Sequence, residues 1–153
     1  MITTKNPATG EVISTYQELS AEEINSKLEV AENAFQSWKN TSLADRKSLM
    51  SKAGMLLRER EQEYAELMTK EMGKPISQGF QELEKCAWSI DYYVQAIEKI
   101  IASEKVTDID EGEAWITYEP MGIVLAVMPW NFPFWQVLRF AIPGILAGNV
   151  VIL

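Results

Sequence analysis

From Pro120 to Leu153 the chain carries one charged side chain, Arg139, while all 22 Asp and Glu and every other Lys and Arg lie before it. A stretch this poor in charge has to be buried in protein or in lipid. Its longest uncharged run, Pro120 to Leu138, is long enough to cross a bilayer. It nevertheless contains Pro120, Pro129 and Pro133 together with Asn131 and Gln136. Prolines would break a spanning helix, and the amides would be left without partners in hydrocarbon. Buried strands joined through a loop and a helix fit the pattern better. The composition step also marks a boundary near Glu119-Pro120.

The remaining composition narrows the chemistry. Forty-seven per cent of the 153 residues are hydrophobic, enough for a core, so disorder is not expected. The net charge of −8 comes with no cluster of lysine or arginine, which argues against a nucleic-acid partner. The absence of histidine removes Ser-His-Asp and Cys-His catalysis and every His-bearing metal site, and no metal site is expected. One cysteine cannot form an internal disulfide. Met1 to Gly10 is polar and lacks the apolar core of a signal peptide, so a soluble cytoplasmic protein without a membrane segment is the expectation.

Asn6-Pro7-Ala8-Thr9-Gly10 reads as a turn between short extended segments, and three helices are predicted after it. Ser20 and Glu23 form a capping box before a face made of Ile24, Leu28, Ala31, Phe35 and Trp38. A second helix is predicted from Leu43 through Leu67 and Met68, closed by Gly73-Lys74-Pro75. In the third, Ile76, Phe80, Leu83, Ala87, Ile90, Val94, Ile97 and Ile101 repeat at alternating spacings of four and three. Cys86 borders that face and reads as a buried structural thiol, whereas Glu82 and Glu84 read as solvated helix charges.

Beyond the third helix the period changes. Ala114 to Tyr118 is strand-prone, and Met121 to Met128 has the continuous apolar character of a strand buried on both faces. A helix from Pro133 to about Ala147 and a strand from Val150 follow. Strand, helix and strand over this length make a βαβ unit. The fold class is therefore α/β: N-terminal helices plus a βαβ unit, which two strands alone leave incomplete. A piece of a longer protein is the expectation.

In open parallel sheets, ligands bind in the loops beyond the carboxyl ends of the strands. Here that loop is Pro129-Trp130-Asn131-Phe132-Pro133. A rigidly held Asn131 amide can donate to a developing oxyanion, or Asn131 can simply cap the next helix. On that helix Phe132, Gln136 and Arg139 share a face, with Trp135, Leu138, Ile142 and Ile145 on a core face. By spacing alone, Arg139 either extends to solvent or clamps a substrate carboxylate.

The stretch Glu119-Pro120-Met121-Gly122-Ile123-Val124-Leu125 followed by Met128-Pro129-Trp130-Asn131-Phe132-Pro133 resembles the N-terminal portion of NAD(P)-dependent aldehyde dehydrogenases. Asn6-Pro7-Ala8-Thr9-Gly10-Glu11 and Gly73-Lys74-Pro75 fall at matching places, so the likeness covers the whole chain. It is nearest to the succinate-semialdehyde dehydrogenases, in which an arginine follows the motif asparagine at the spacing of Arg139 from Asn131. The resemblance implies NAD or NADP as cofactor, with Met128, Pro129, Trp130 and Asn131 lining its nicotinamide-ribose end. It implies Asn131 as the catalytic oxyanion donor, Phe132 in the substrate tunnel, and Arg139 on the distal carboxylate of a small-molecule aldehyde. It further implies that 1–105 is the turn and helical part of a Rossmann-like cofactor-binding domain whose first βαβ portion, incomplete, is 121–153, and that residues 106–120 belong to a bridging element of a homo-oligomer, a dimer or tetramer. The family's nucleophilic cysteine and general-base glutamate lie beyond Leu153, so these 153 residues alone are expected to be inactive. One alternative is an aldehyde dehydrogenase with a different or broader aldehyde substrate, and the alternative of a different class is a helical interaction module without catalysis.

Overall fold

A computed structural model describes residues 1–108 and 110–153. The turn at Asn6–Gly10 joins β1 (Ile2–Lys5) to β2 (Val12–Tyr16) in an antiparallel pair. Asn6 Oδ1 accepts the Ala8 N–H at 2.9 Å, the local bond by which asparagine favours turns. Helix α1 (Ala21–Trp38) starts at the predicted capping box: Ser20 and Glu23 satisfy each other's backbone N–H groups.

The second predicted helix is in fact two, α2 (Leu43–Glu59) and α3 (Glu61–Met72), which meet at Arg60. No glycine or proline stands there to announce the break. Packing supplies it: both helices lie against α4 (Ile76–Ile100), and Leu57 beside the joint touches both core clusters. One cluster gathers Met50, Ile90, Ile97, Ile142 and Leu146; the other gathers Ala65, Met68 and Leu83. A straight rod would swing one of those apolar faces away from α4. Gly73 closes α3 in the left-handed conformation, as its sequence predicts.

A short antiparallel hairpin follows, β3 (Glu104–Val106) with β4 (Ala114–Ile116), and among the described residues it pairs with no other strand. Then β5 (Ile123–Leu125), α5 (Pro133–Leu146) and β6 (Val150–Ile152) form the predicted unit, with β5 parallel to β6. Ile123, Leu125 and Ile152 lie toward Ile24 and Leu28 of α1, whereas Val151 on the other face meets Gly144 of α5. Helices on both faces of parallel strands are the mark of an α/β layer. The expectation of a strand buried on both faces is corrected, however. Ile123 and Val124 are half-buried and Leu125 is exposed, because among the described residues β6 is the one strand paired to β5, and α1 leaves a hollow over Leu125.

The turn into β6 is held by specific bonds. Asn149 Oδ1 accepts from the Met121 and Gly122 N–H groups, and its Nδ2 donates to the Gly144 carbonyl. Gly148 has φ +96°, and a Cβ there would lie 2.6 Å from Nη1 of the buried Arg46 and 3.3 Å from Pro120. Trp38 Nε1 donates to the Ile145 carbonyl at 3.0 Å and ties α1 to the end of α5. Among the described residues no helix is long and apolar enough to cross a membrane. Gly148→Ala is expected to destabilise the fold by about 1–3 kcal/mol through strain and the Arg46 contact, read as a lower urea midpoint.

Candidate functional site

Three stretches far apart in sequence meet at the start of α5. Pro7 of the N-terminal turn lies against Gly73, where a glycine Cβ would come within 3.0 Å of its ring. Pro7 also lines, with Met68, Glu71, Trp130 and Phe134, a hollow of about 490 Å³. Lys74, next to Gly73, places its Nζ 3.9 Å from the centre of the Phe132 ring. The loop from Ala126 to Phe132 is thus wedged between the front turn and the α3–α4 connection.

The loop is fixed in place by Glu82, a residue whose sequence reading is corrected here. Its side chain is 1% exposed rather than solvated. Oε1 accepts the backbone N–H groups of Phe134 and Trp135, each at 2.9 Å, and Oε2 pairs with Nζ of the equally buried Lys74. A carboxylate at a helix N-terminus satisfies unpaired donors and opposes the positive end of the dipole. The acid capping α5 therefore comes from α4, some fifty residues earlier. A sequence signal existed: Glu82 lies one turn before Cys86, whose apolar-face position already marks that side of α4 as buried. Glu84 conforms to its reading, exposed and paired with Arg58.

Asn131 is exposed and does not cap α5. The cap position belongs to Phe132, with no side-chain capping bond, so of the two roles weighed for Asn131 the capping one is excluded. Phe132 is partly exposed beside it. Met128 is half-buried, while Pro129 and Trp130 are exposed. With Leu125, Ala126, Val127, Pro133, Val137 and Leu153 these three line an apolar hollow of about 430 Å³ at the carboxyl ends of β5 and β6. The carboxyl ends of parallel strands are where an open sheet offers room for a ligand, and Met128, Pro129 and Trp130 are the residues that could line one here.

Arg139 is exposed two turns into α5. Ile142, Leu138 and Ile145 pack in the core as predicted, but Trp135 does not. It lines a cleft of about 320 Å³ with Phe132, Gln78, Gln81, Glu82 and Lys85, and Lys85 Nζ sits 3.9 Å from the centre of its ring. The contact of α5 with α4 thus leaves that indole at the crevice between the two helices. Gln136 is only half-buried, and its Oε1 is enclosed without a partner among the described residues. Cys86 is fully buried as read, and burial, with the Glu82 charge adding to it, pushes its thiol up to about 12. Such a thiol stays protonated and is no nucleophile.

Glu82→Ala is expected to cost about 3–5 kcal/mol in urea denaturation, since it leaves the Lys74 charge buried and unpaired. The double change Lys74→Met with Glu82→Gln should lose clearly less, because an acceptor for the two N–H groups remains and no charge is stranded.

Comparison with known proteins agrees with this fold. The model of the aldehyde dehydrogenase family matches residues 1–153. A Synechocystis protein named "Probable succinate-semialdehyde dehydrogenase [NADP(+)]" is 47% identical over 152 residues, which is 99% of this chain and 33% of the relative. A succinate semialdehyde dehydrogenase of Escherichia coli is 42% identical over 94% of this chain and 31% of its own length. Among solved structures, succinic semialdehyde dehydrogenase from Streptococcus pyogenes in complex with NADP+ superposes with a TM-score of 0.92 at 32% identity, over 97% of this chain and 33% of that one. The chain spans about a third of the length of the curated relatives it matches. A full-length family match joined to the same fold establishes that this chain belongs to the aldehyde dehydrogenase family.

Proposed function

We propose that these residues form the N-terminal, cofactor-facing part of an NADP-using dehydrogenase that oxidises succinic semialdehyde to the dicarboxylate. The observation that carries the reading is Asn131. It is exposed in the loop that follows β5, free of the capping role, and its chain neighbours Trp130 and Phe132 line the hollow and the cleft. The names of the relatives support the substrate and NADP, since the similar proteins are named for both.

The roles follow from chemistry. A cysteine thiolate from outside these 153 residues attacks the aldehyde carbon, and negative charge gathers on the former carbonyl oxygen. The Asn131 side-chain amide donates to that oxygen; because the loop is already held by Glu82 and two prolines, little reorganisation opposes it. Met128, Pro129 and Trp130 wall the nicotinamide-ribose end and exclude water there. Bound nicotinamide serves as the hydride acceptor. A water activated by a glutamate outside these residues then cleaves the carbon–sulfur bond of the resulting thioester, which gives the acid and frees the thiolate. Phe132 shapes the substrate passage and Arg139 faces the distal carboxylate. The 153 residues alone are inactive on this reading. Residues 1–105, 106–120 and 121–153 act as helical support, bridging element and cofactor-binding start. The solitary β3–β4 hairpin, with Trp115 and Ile116 exposed, is the part that pairs subunits in a homo-oligomer.

The test is NADP+ reduction by the protein expressed from its native gene, with succinic semialdehyde. Asn131→Ala should lower kcat by about 10²–10³ with a much smaller change in KM. Arg139→Leu should lower the preference for succinic semialdehyde over butanal; equal losses on both aldehydes would remove Arg139 from the substrate site. No NADP+ reduction with either aldehyde would overturn the reading.

A further inference from the structure

We infer that Lys85, on α4, is a specificity-determining residue that binds the carboxylate of the substrate at the Phe132–Trp135 cleft, together with Arg139. The inference rests on the dehydrogenase reading and deepens it. Lys85 reaches across from α4 to α5 and holds its ammonium 3.9 Å from the centre of the Trp135 ring. An indole face fixes such a cation in place while leaving its other side open to an anion.

The charges around it are already committed. Glu82, the acid lining the cleft, has Oε1 on two backbone N–H groups and Oε2 on Lys74. Glu84, beside Lys85, is bonded to Arg58, and so is Asp91 further along α4. Among the described residues neither Lys85 nor Arg139 joins an ion pair. The cleft therefore keeps a net positive rim, with the Gln78 and Gln81 amides beside it as neutral donors.

Position along α5 explains why two cations serve one short substrate. Trp135 lies about 4.5 Å along the helix axis from Phe132, and Arg139 about 10.5 Å. A four-carbon semialdehyde with its carbonyl at Asn131 carries its carboxylate to the turn of Trp135, where Lys85 sits. Helical side chains lean toward the N-terminus, so the Arg139 guanidinium reaches back to the same place. Lys85 thus meets the carboxylate as a point charge, and Arg139 adds a planar fork from the next turn.

The experiment compares kcat/KM for succinic semialdehyde and for butanal, an aldehyde of equal length without the carboxylate, in the protein expressed from its native gene. Lys85→Met retains the aliphatic contact over Trp135 and removes the charge. It should lower the ratio of the two kcat/KM values about tenfold, chiefly through KM for the semialdehyde, and raised salt should shrink the difference. Lys85→Arg should restore most of the ratio. An unchanged ratio in Lys85→Met, or equal losses on both aldehydes, would overturn the assignment of Lys85 while leaving the dehydrogenase reading intact. Failure of the unsubstituted protein to oxidise either aldehyde would overturn both.

Discussion

Glu82 stands where α4 passes the start of α5, and its two oxygens are divided between Lys74 and the first free N–H groups of α5. A carboxylate enclosed this completely persists only when its acceptor capacity is filled. The α3–α4 connection, α4 itself and the entry to α5 are consequently locked to one another. The loop between β5 and α5 has no freedom to shift along this interface, and Asn131 inherits a defined position without making a capping bond of its own. Lys74 extends the same lock to Phe132 through the ring face. The polar centre of the interface and the support of the Trp130–Phe132 loop are therefore one construction.

Around that lock α4 is the central beam. Its apolar face meets α2 and α5 through Ile90 and Ile97, and α3 through Leu83. The break at Arg60 lets two shorter helices present their apolar residues to one straight helix. On the other side of α5, the Asn149 side chain and Gly148 turn the chain sharply enough for β6 to run parallel to β5 between α1 and α5. The parallel pair opens its carboxyl ends toward the Trp130 loop, so Trp130 walls the apolar hollow there while Phe132 walls the cleft beside α4. Helix α4 supplies the cleft's second wall, so the beam that organises the core also presents Lys85 and its neighbouring amides to the site.

What was legible in the sequence was local. The Ser20–Glu23 box, the Gly73 stop, the apolar stripe of α4 and the β5–α5–β6 order each depend on residues a few positions apart, and each is present. The site loop was legible through its motif, which also led to the family. The misreadings share one cause. Glu82, Trp135 and the break at Arg60 owe their state to partners on other elements, and helical spacing cannot tell a charge that faces water from one that faces another helix's free N–H groups.

The sequence by itself determined the element types, the apolar faces and the uncharged βαβ segment, because side-chain pattern and backbone preference act within one or two turns. Tertiary structure alone decided that Glu82 caps α5, that Asn131 is released from capping, and that Lys85 and Trp135 meet across a cleft. Those outcomes depend on desolvation and hydrogen bonding between residues about fifty positions apart, and such terms take effect only once α4 and α5 are packed.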